Sequence, residues 1–329
     1  PVMMEQILKA RKQIYNYDLI RAIIYCLIIS TLYLLFYFAK IGKNTAIISL
    51  TVIVLIDLIG ISNRYIDREM FVSPRQKKGL FQPRSGDQAI LQDDSRFRVF
   101  EPSLQLSGAR TSYFHSSLGG YHGAKPRRFE ELFDYFSTHQ IQGVMDMLNV
   151  KYLLFEEASQ QKVVDNPTAL GNAWTIDSLK VASSADDLLE QMKTLDFSNQ
   201  ALVLKNETPQ NIPHRFNSDA TKEIYLISAK PTNLRYAFSA SEEQMVVFSE
   251  IYYPNGWYAE IDGKAVDHFP VNYVLRGMLV PAGNHTINFR FEPQVINLGV
   301  NIRLIALLVF LMLVSSMVYD QIKKNPVQK

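Results

Sequence analysis

Between Ala22 and Ala39 the chain reads "AIIYCLIISTLYLLFYFA", eighteen positions without a charge. That is about the length a helix needs to span a hydrocarbon core. A second apolar run, Thr45–Ile61, is broken only by Asp57, and a third, Leu304–Val318, lengthens toward Val295 if its helix starts early. These runs predict three membrane spans, at residues 22–39, 45–61 and 295–319. The first exceeds a signal-peptide core, no small-x-small cleavage pattern follows it, and the second begins soon after, so a membrane hairpin is the reading. Residues 1–21 are polar and basic with Met4, Ile7, Leu8 and Ile14 interspersed, as in a juxtamembrane helix, and 320–329 form a short tail.

The polar stretch between the second and third spans changes texture along its length. Residues 62–95 are a connector rich in Arg, Gln, Pro and Gly without periodicity. "RFRVF" (Arg96–Phe100) alternates as a half-buried strand does. Residues 110–128 follow as loop. Phe129, Leu132, Phe133 and Phe136 then share one helical face. Asn149–Phe155 reads as a buried strand, and Asn166–Trp174 carries the Pro and Gly of a turn. Ser184 is an N-cap, with Asp186 and Asp187 placed to favour the helix dipole and Leu188, Leu189 and Met192 as the apolar stripe. Ala201–Asn206 is again strand-like. Residues 96–206 are therefore expected to form an α+β domain. From about 207 to 294, short β-rich runs separated by turns predict an all-β sandwich. In it, Asp262-Gly263 and Ala282-Gly283 would each close a tight hairpin.

Composition narrows the classes. The 329 residues carry a net charge of +2, without the strong basic excess of a nucleic-acid binder. The only cysteine, Cys26, lies in the first span, which excludes a disulfide framework or cysteine metal cluster in the polar region. Two spans before the large domain put it on the same side as the N-terminus, with the C-terminus opposite. Lys40, Lys43, Lys323, Lys324 and Lys329 favour a cytoplasmic hairpin turn and tail. Lys9, Arg11, Lys12, Arg21, Arg64 and Arg68 pull the other way, so flanking charge alone leaves orientation open.

The candidate chemistry is concentrated in "RTSYFHSSLGGYHGAKPRR", residues 110–128. No acidic residue occurs between Glu101 and Glu130. Arg110, Lys125, Arg127 and Arg128 have the charge to clamp a phosphate or carboxylate, and a helix opening at Arg127 would add its free N–H groups. Tyr113, Phe114 and Tyr121 offer flat faces for a sugar. His115 and His122 stand seven apart, but without cysteines or clustered carboxylates they suit hydrogen bonding within a folded loop better than metal ligation. A basic face attracted to anionic headgroups is the plainer account of the same charges. Asp57, inside a span, is expected to pair with Arg64 or Arg68 near the polar end. Tyr252, Tyr253, Trp257 and Tyr258 suit a carbohydrate platform or a sandwich core. No nucleophile elbow, phosphate-binding loop, dinucleotide fingerprint or pair of catalytic carboxylates is present, so no catalytic residue, metal or cofactor is expected.

Several stretches together resemble the C-terminal part of YfhO-like bacterial membrane proteins, in the versions found in Bacteroidetes. In order these are "DLIGISNRYI", "SYFHSSLGGYHGAKPRRFEELFD", "MLNVKYLLF", "NPTALGNAW" and "VFSEIYYPNGWYAEIDGK…NYVLRGMLVPAGNHTINFRFEP". That family is similar to the GT-C class of glycosyltransferases, which transfer a polyprenyl-phosphate-linked sugar to an acceptor outside the cytoplasm. The resemblance implies a multi-pass protein of the inner membrane, with an extracytoplasmic soluble region and a cytoplasmic C-terminus. GT-C enzymes carry catalytic acids in an early loop that has no counterpart here. The "PVMM" start adds to the expectation of a C-terminal, non-catalytic portion that assists glycosylation of a cell-envelope polymer. Membrane lipid and a polyprenyl-phosphate-linked sugar or envelope polysaccharide are the implied partners. On that reading Arg110, Lys125, Arg127 and Arg128 would meet phosphate, and Tyr113, Tyr121, His115 and His122 would complete the site. The alternative is a membrane-tethered interaction module that binds a protein or a surface polysaccharide.

Overall fold

The computed structural model describes residues 2–66, 70–74, 78–79, 81–121, 123–157, 160–210, 212–217 and 221–324. The chain divides into two compact units, residues 1–82 and 83–329.

The first unit is a helical hairpin. Helix α1 (Val2–Tyr37) joins the expected juxtamembrane segment and the first span into one rod, and α2 (Lys43–Tyr65) is the second span. At 1.5 Å per residue α1 is about 54 Å long, so its basic N-terminal half must extend beyond a core about 30 Å thick. Two ion pairs cross the hairpin, Arg21 with Asp57 and Arg64 with Asp18. Asp57 thus takes Arg21, not the expected Arg64, and Arg68 lies outside the described residues. The reason is antiparallel geometry: the nearest cation to a mid-helix carboxylate sits across the hairpin, not along its own helix.

The second unit starts with α3 (Ser85–Ile90), inside the expected connector. Strand β1 (Arg98–Phe100) follows, then α4 (Ala109–Phe114), α5 (Arg127–His139) and α6 (Gln142–Met147). The short helix α4 occupies the start of the stretch expected to be loop. In α5 the apolar stripe is buried through Leu132, Phe133 and Phe136. Strand β2 (Val150–Glu157) pairs in parallel with β1 and antiparallel with β3 (Gln160–Asp165). After β4 (Ala173–Ile176), strand β5 (Ser178–Ala182) pairs in parallel with β6 (Gln200–Leu204), joined by α7 (Ala185–Met192). Ser184 caps α7 by accepting from the Asp187 N–H.

Eight further strands build a sandwich: β7 (Glu223–Lys230), β8 (Asn233–Ala240), β9 (Gln244–Ile251), β10 (Trp257–Ile261), β11 (Lys264–Val266), β12 (Phe269–Val271), β13 (Leu275–Val280) and β14 (Gly283–Phe291). One sheet has the order β11-β10-β14-β8-β7, and the facing sheet the order β12-β13-β9-β4. Strand β4 therefore brings a segment from before residue 207 into the sandwich. The core between the sheets holds Tyr236, Phe248 and Phe289, whose rings meet edge to face, with Phe248 4.9 Å from both others. The four-stranded sheet is buried on its other face as well, where Trp174, Ile176, Met245, Val247 and Leu275 join the core of the helical layer.

Asp262 (φ 51°) and Gly263 (φ 80°) close the expected hairpin between β10 and β11. Ala282-Gly283 does not close a hairpin: β13 and β14 lie in different sheets, and this turn carries the chain across the sandwich. Two residues after β14, helix α8 (Gln294–Lys324) begins. Residues 4–37, 43–65 and 294–317 form three helices long and apolar enough to cross a membrane. Their apolar side chains point outward, as at Leu27, Leu55 and Leu308, the surface expected against lipid.

Candidate functional site

The stretch without acids is not acid-free in space. Asp87, fully buried in α3, receives Arg110 Nη2 at 2.5 Å and lies 3.1 Å from His115 Nε2. It also accepts from the Arg84 N–H at 2.9 Å. Burial alone would raise the Asp87 carboxyl; these bonds outweigh it and hold the group below the usual carboxylate range. Arg110 and His115 are thus bound to a residue that the sequence places in a connector.

The two arginines at the end of the stretch have their own partners. Arg127 and Arg128 open α5, as expected. Arg128 grips Glu207 through two bonds of 3.0 and 2.6 Å and lies over the Tyr273 ring at 5.4 Å. The Glu207 bonds raise its pKa further. Arg127, 91 % exposed, pairs with Glu131 one turn on, and Glu131 also accepts from the Tyr273 hydroxyl at 2.6 Å. Burial first, then that bond, pushes Tyr273 up to about 12. Tyr113 and Tyr121 are exposed and Lys125 is half-buried. His122 lies outside the described residues. The loop thus divides among three carboxylates, with its tyrosines left on the surface.

A cleft of about 670 Å³ opens elsewhere, where the sandwich meets α8. Tyr252, Trp257 and Tyr258 line it together with Asp267 and His268, and Gln294 and Asn297 from the first turns of α8 form part of its wall. Trp257 is held rigid: Arg276 lies 4.0 Å over its ring, and Phe291 packs 5.1 Å away. Arg290 bridges Glu260 and Glu292 across the same cleft. Burial, aided by the charge of Arg276, pushes His268 down to about 4, so it is neutral near pH 7. His268 Nε2 and Arg290 Nε are buried without a hydrogen-bond partner among the described residues. Such atoms carry a desolvation cost until something bonds to them. The arrangement offers flat apolar faces, fixed donors and carboxylate acceptors, the mixture that binds a polyhydroxylated molecule.

Sequence reasoning identified the aromatic cluster but not His268, Asp267, Arg290 or Asn297. These come from a loop, a strand and a helix that converge only on folding. The one legible hint was the alternation of β14, which puts Arg290 on the wet face opposite Phe289. Among the described residues, no group of three His, Cys, Asp or Glu side chains is placed to hold a metal ion.

Residues 187–303 match the family model of the bacterial membrane protein YfhO. The match takes in most of α7, the strands from β7 to β14 and the first turns of α8, and hence the whole lining of the cleft beside α8. Residues 110–128 lie outside it. No curated protein and no solved structure matches the chain. Over the matched region the chain is similar to the bacterial membrane protein YfhO.

Proposed function

We propose that this chain is a non-catalytic, sugar-recognising portion of a YfhO-like membrane protein, serving glycosylation of a cell-envelope polymer from the extracytoplasmic face of the inner membrane. The cleft beside α8 is the observation that carries the reading. It combines aromatic faces at Tyr252, Trp257 and Tyr258 with Asp267, Arg290 and Asn297, and part of its wall is the start of a helix apolar enough to cross the membrane. A ligand with a sugar head and a lipid tail has both halves accommodated there: rings and carboxylates meet hydroxyls and C–H faces while the tail stays in the bilayer. A polyprenyl-phosphate-linked sugar is such a molecule, and an envelope polysaccharide would use the same groups without the tail.

The test is a binding titration of the full chain in nanodiscs with a polyprenyl-phosphate-linked sugar. Tyr258→Ala and Asp267→Asn, both at exposed positions, are expected to weaken binding about tenfold each. Tyr121→Ala with Lys125→Gln forms the second arm, because the loop at 110–128 is the rival location for the same ligand. A loss confined to the loop arm would move the site there. Unchanged affinity in both arms would retire sugar recognition in favour of a tethered interaction module.

A further inference from the structure

Behind Trp257, three arginines from distant segments converge on one carboxylate. Arg96 Nη2 donates to Glu250 Oε1 at 2.7 Å, and Arg98 Nη2 lies 3.8 Å from Glu250 Oε2. Arg98 Nη1 is occupied by the Leu148 carbonyl (2.7 Å) and Ser249 Oγ (3.0 Å). Arg276, only 2 % exposed, gives its Nε–H to the Ile251 carbonyl at 3.1 Å. Its Nη1 and the Tyr236 hydroxyl are buried without a hydrogen-bond partner among the described residues. Three guanidinium charges face one carboxylate, an excess of two positive charges in a poorly solvated place. Burial, reinforced by Arg96 and Arg98 against the pull of Glu250, pushes Arg276 down to about 10. Burial likewise lowers Arg98.

This cluster adjoins a second cleft, of about 620 Å³, lined by Arg96, Glu250 and Trp257. The rim of that cleft does not cancel the surplus. His115 is held by Asp87, Asp93 is held by Lys151, and the lining holds one further charge of each sign, the exposed Asp94 and Lys230. We propose that this cleft binds a phosphate group, free or carried on a lipid headgroup, seated against Arg96 and supported by the charges of Arg98 and Arg276. Guanidinium forks suit phosphate oxygens, and one such anion would offset the charge that Glu250 leaves unbalanced. The site shares the Trp257 wall with the sugar cleft but is lined otherwise by different residues, and it does not depend on the sugar reading.

Thermal unfolding of the full chain in nanodiscs of neutral lipid, at constant ionic strength set with chloride, provides the test. Inorganic phosphate is expected to raise the unfolding midpoint saturably. Arg96→Gln, at a side chain one-third exposed, should weaken the apparent phosphate affinity about tenfold or more. Glu250→Gln should act in the opposite direction and tighten it, because the competing carboxylate is gone. Nanodiscs containing phosphatidylglycerol distinguish the sources: Arg96-dependent stabilisation by that lipid, without any by inorganic phosphate, assigns the group to a headgroup. Stabilisation by neither probe, or an Arg96→Gln response equal to wild type, overturns the proposal. The Tyr258→Ala variant should respond to phosphate as wild type does, so this test and the sugar titration fail independently.

Discussion

Two sets of arginines in the folded region are opposites. Arg110, Arg127 and Arg128 come from a long basic stretch of sequence that contains no acid, yet each has a carboxylate: Asp87, Glu131 and Glu207 respectively. Arg96, Arg98 and Arg276 lie in unremarkable strand sequence, yet among the described residues Glu250 is the one carboxylate they share. Charge density along a chain therefore says little about charge balance in space. The acids that neutralise Arg110 and Arg128 stand 23 and 79 residues away. The surplus arises instead where a segment before β1 and a strand of the sandwich meet, and no window of sequence contains both.

The contrast can be broken from either side. The largest effect is expected from Asp87→Asn, which leaves Arg110 and His115 beside a neutral amide in a buried site. Chemical denaturation should show a loss of about 3–5 kcal/mol. Glu250→Gln removes the carboxylate of the other cluster, which is a little more open to water, so a loss of about 2 kcal/mol is expected by the same measurement. Arg276→Met should differ in sign, because it relieves the surplus: stability within about 1 kcal/mol of wild type, or above it.

That variant also has a local reporter. His268 is held down by burial and then by the charge of Arg276, so its imidazole, followed by NMR titration, should move up from about 4 toward 6.5 when the charge is removed. In the wild type the unfolded chain binds that proton more readily than the folded one. Stability therefore falls as pH drops from about 6.5 to about 4, and Arg276→Met should narrow the window. The smallest effect belongs to Arg127→Ala. Its pair with Glu131 is almost wholly in water, and no resolvable change in the unfolding midpoint is expected.

Much of the fold was legible because its periodicities are local. The apolar runs mark α1, α2 and α8; Leu132, Phe133 and Phe136 mark α5; Ser184 marks the start of α7; and Asp262-Gly263 marks a hairpin. Where a strand is buried on both faces the alternation disappears. Strand β9 reads "QMVVFSEI" because Met245 and Val247 face the helical layer while Val246 and Phe248 face the sandwich core. Gly277 in β13 is a packing requirement of the same kind: a Cβ there would stand 2.5 Å from both Met245 and Val271. The Ala282-Gly283 turn misled because a sheet-to-sheet crossing and a hairpin use the same residues. The site was less legible than the fold, since a helix in an expected connector supplies Asp87, and the cleft by α8 is assembled from segments nearly fifty residues apart.

The two-residue passage from β14 to α8 has a consequence for how a ligand arrives. Glu292 and Pro293 span at most about 7 Å when extended, so the sandwich cannot drift away from the head of its helix. A molecule anchored in the bilayer would reach the cleft by sliding sideways through the leaflet rather than by falling from solution. Its search is confined to two dimensions, and the quantity that governs occupancy is its density per area of membrane.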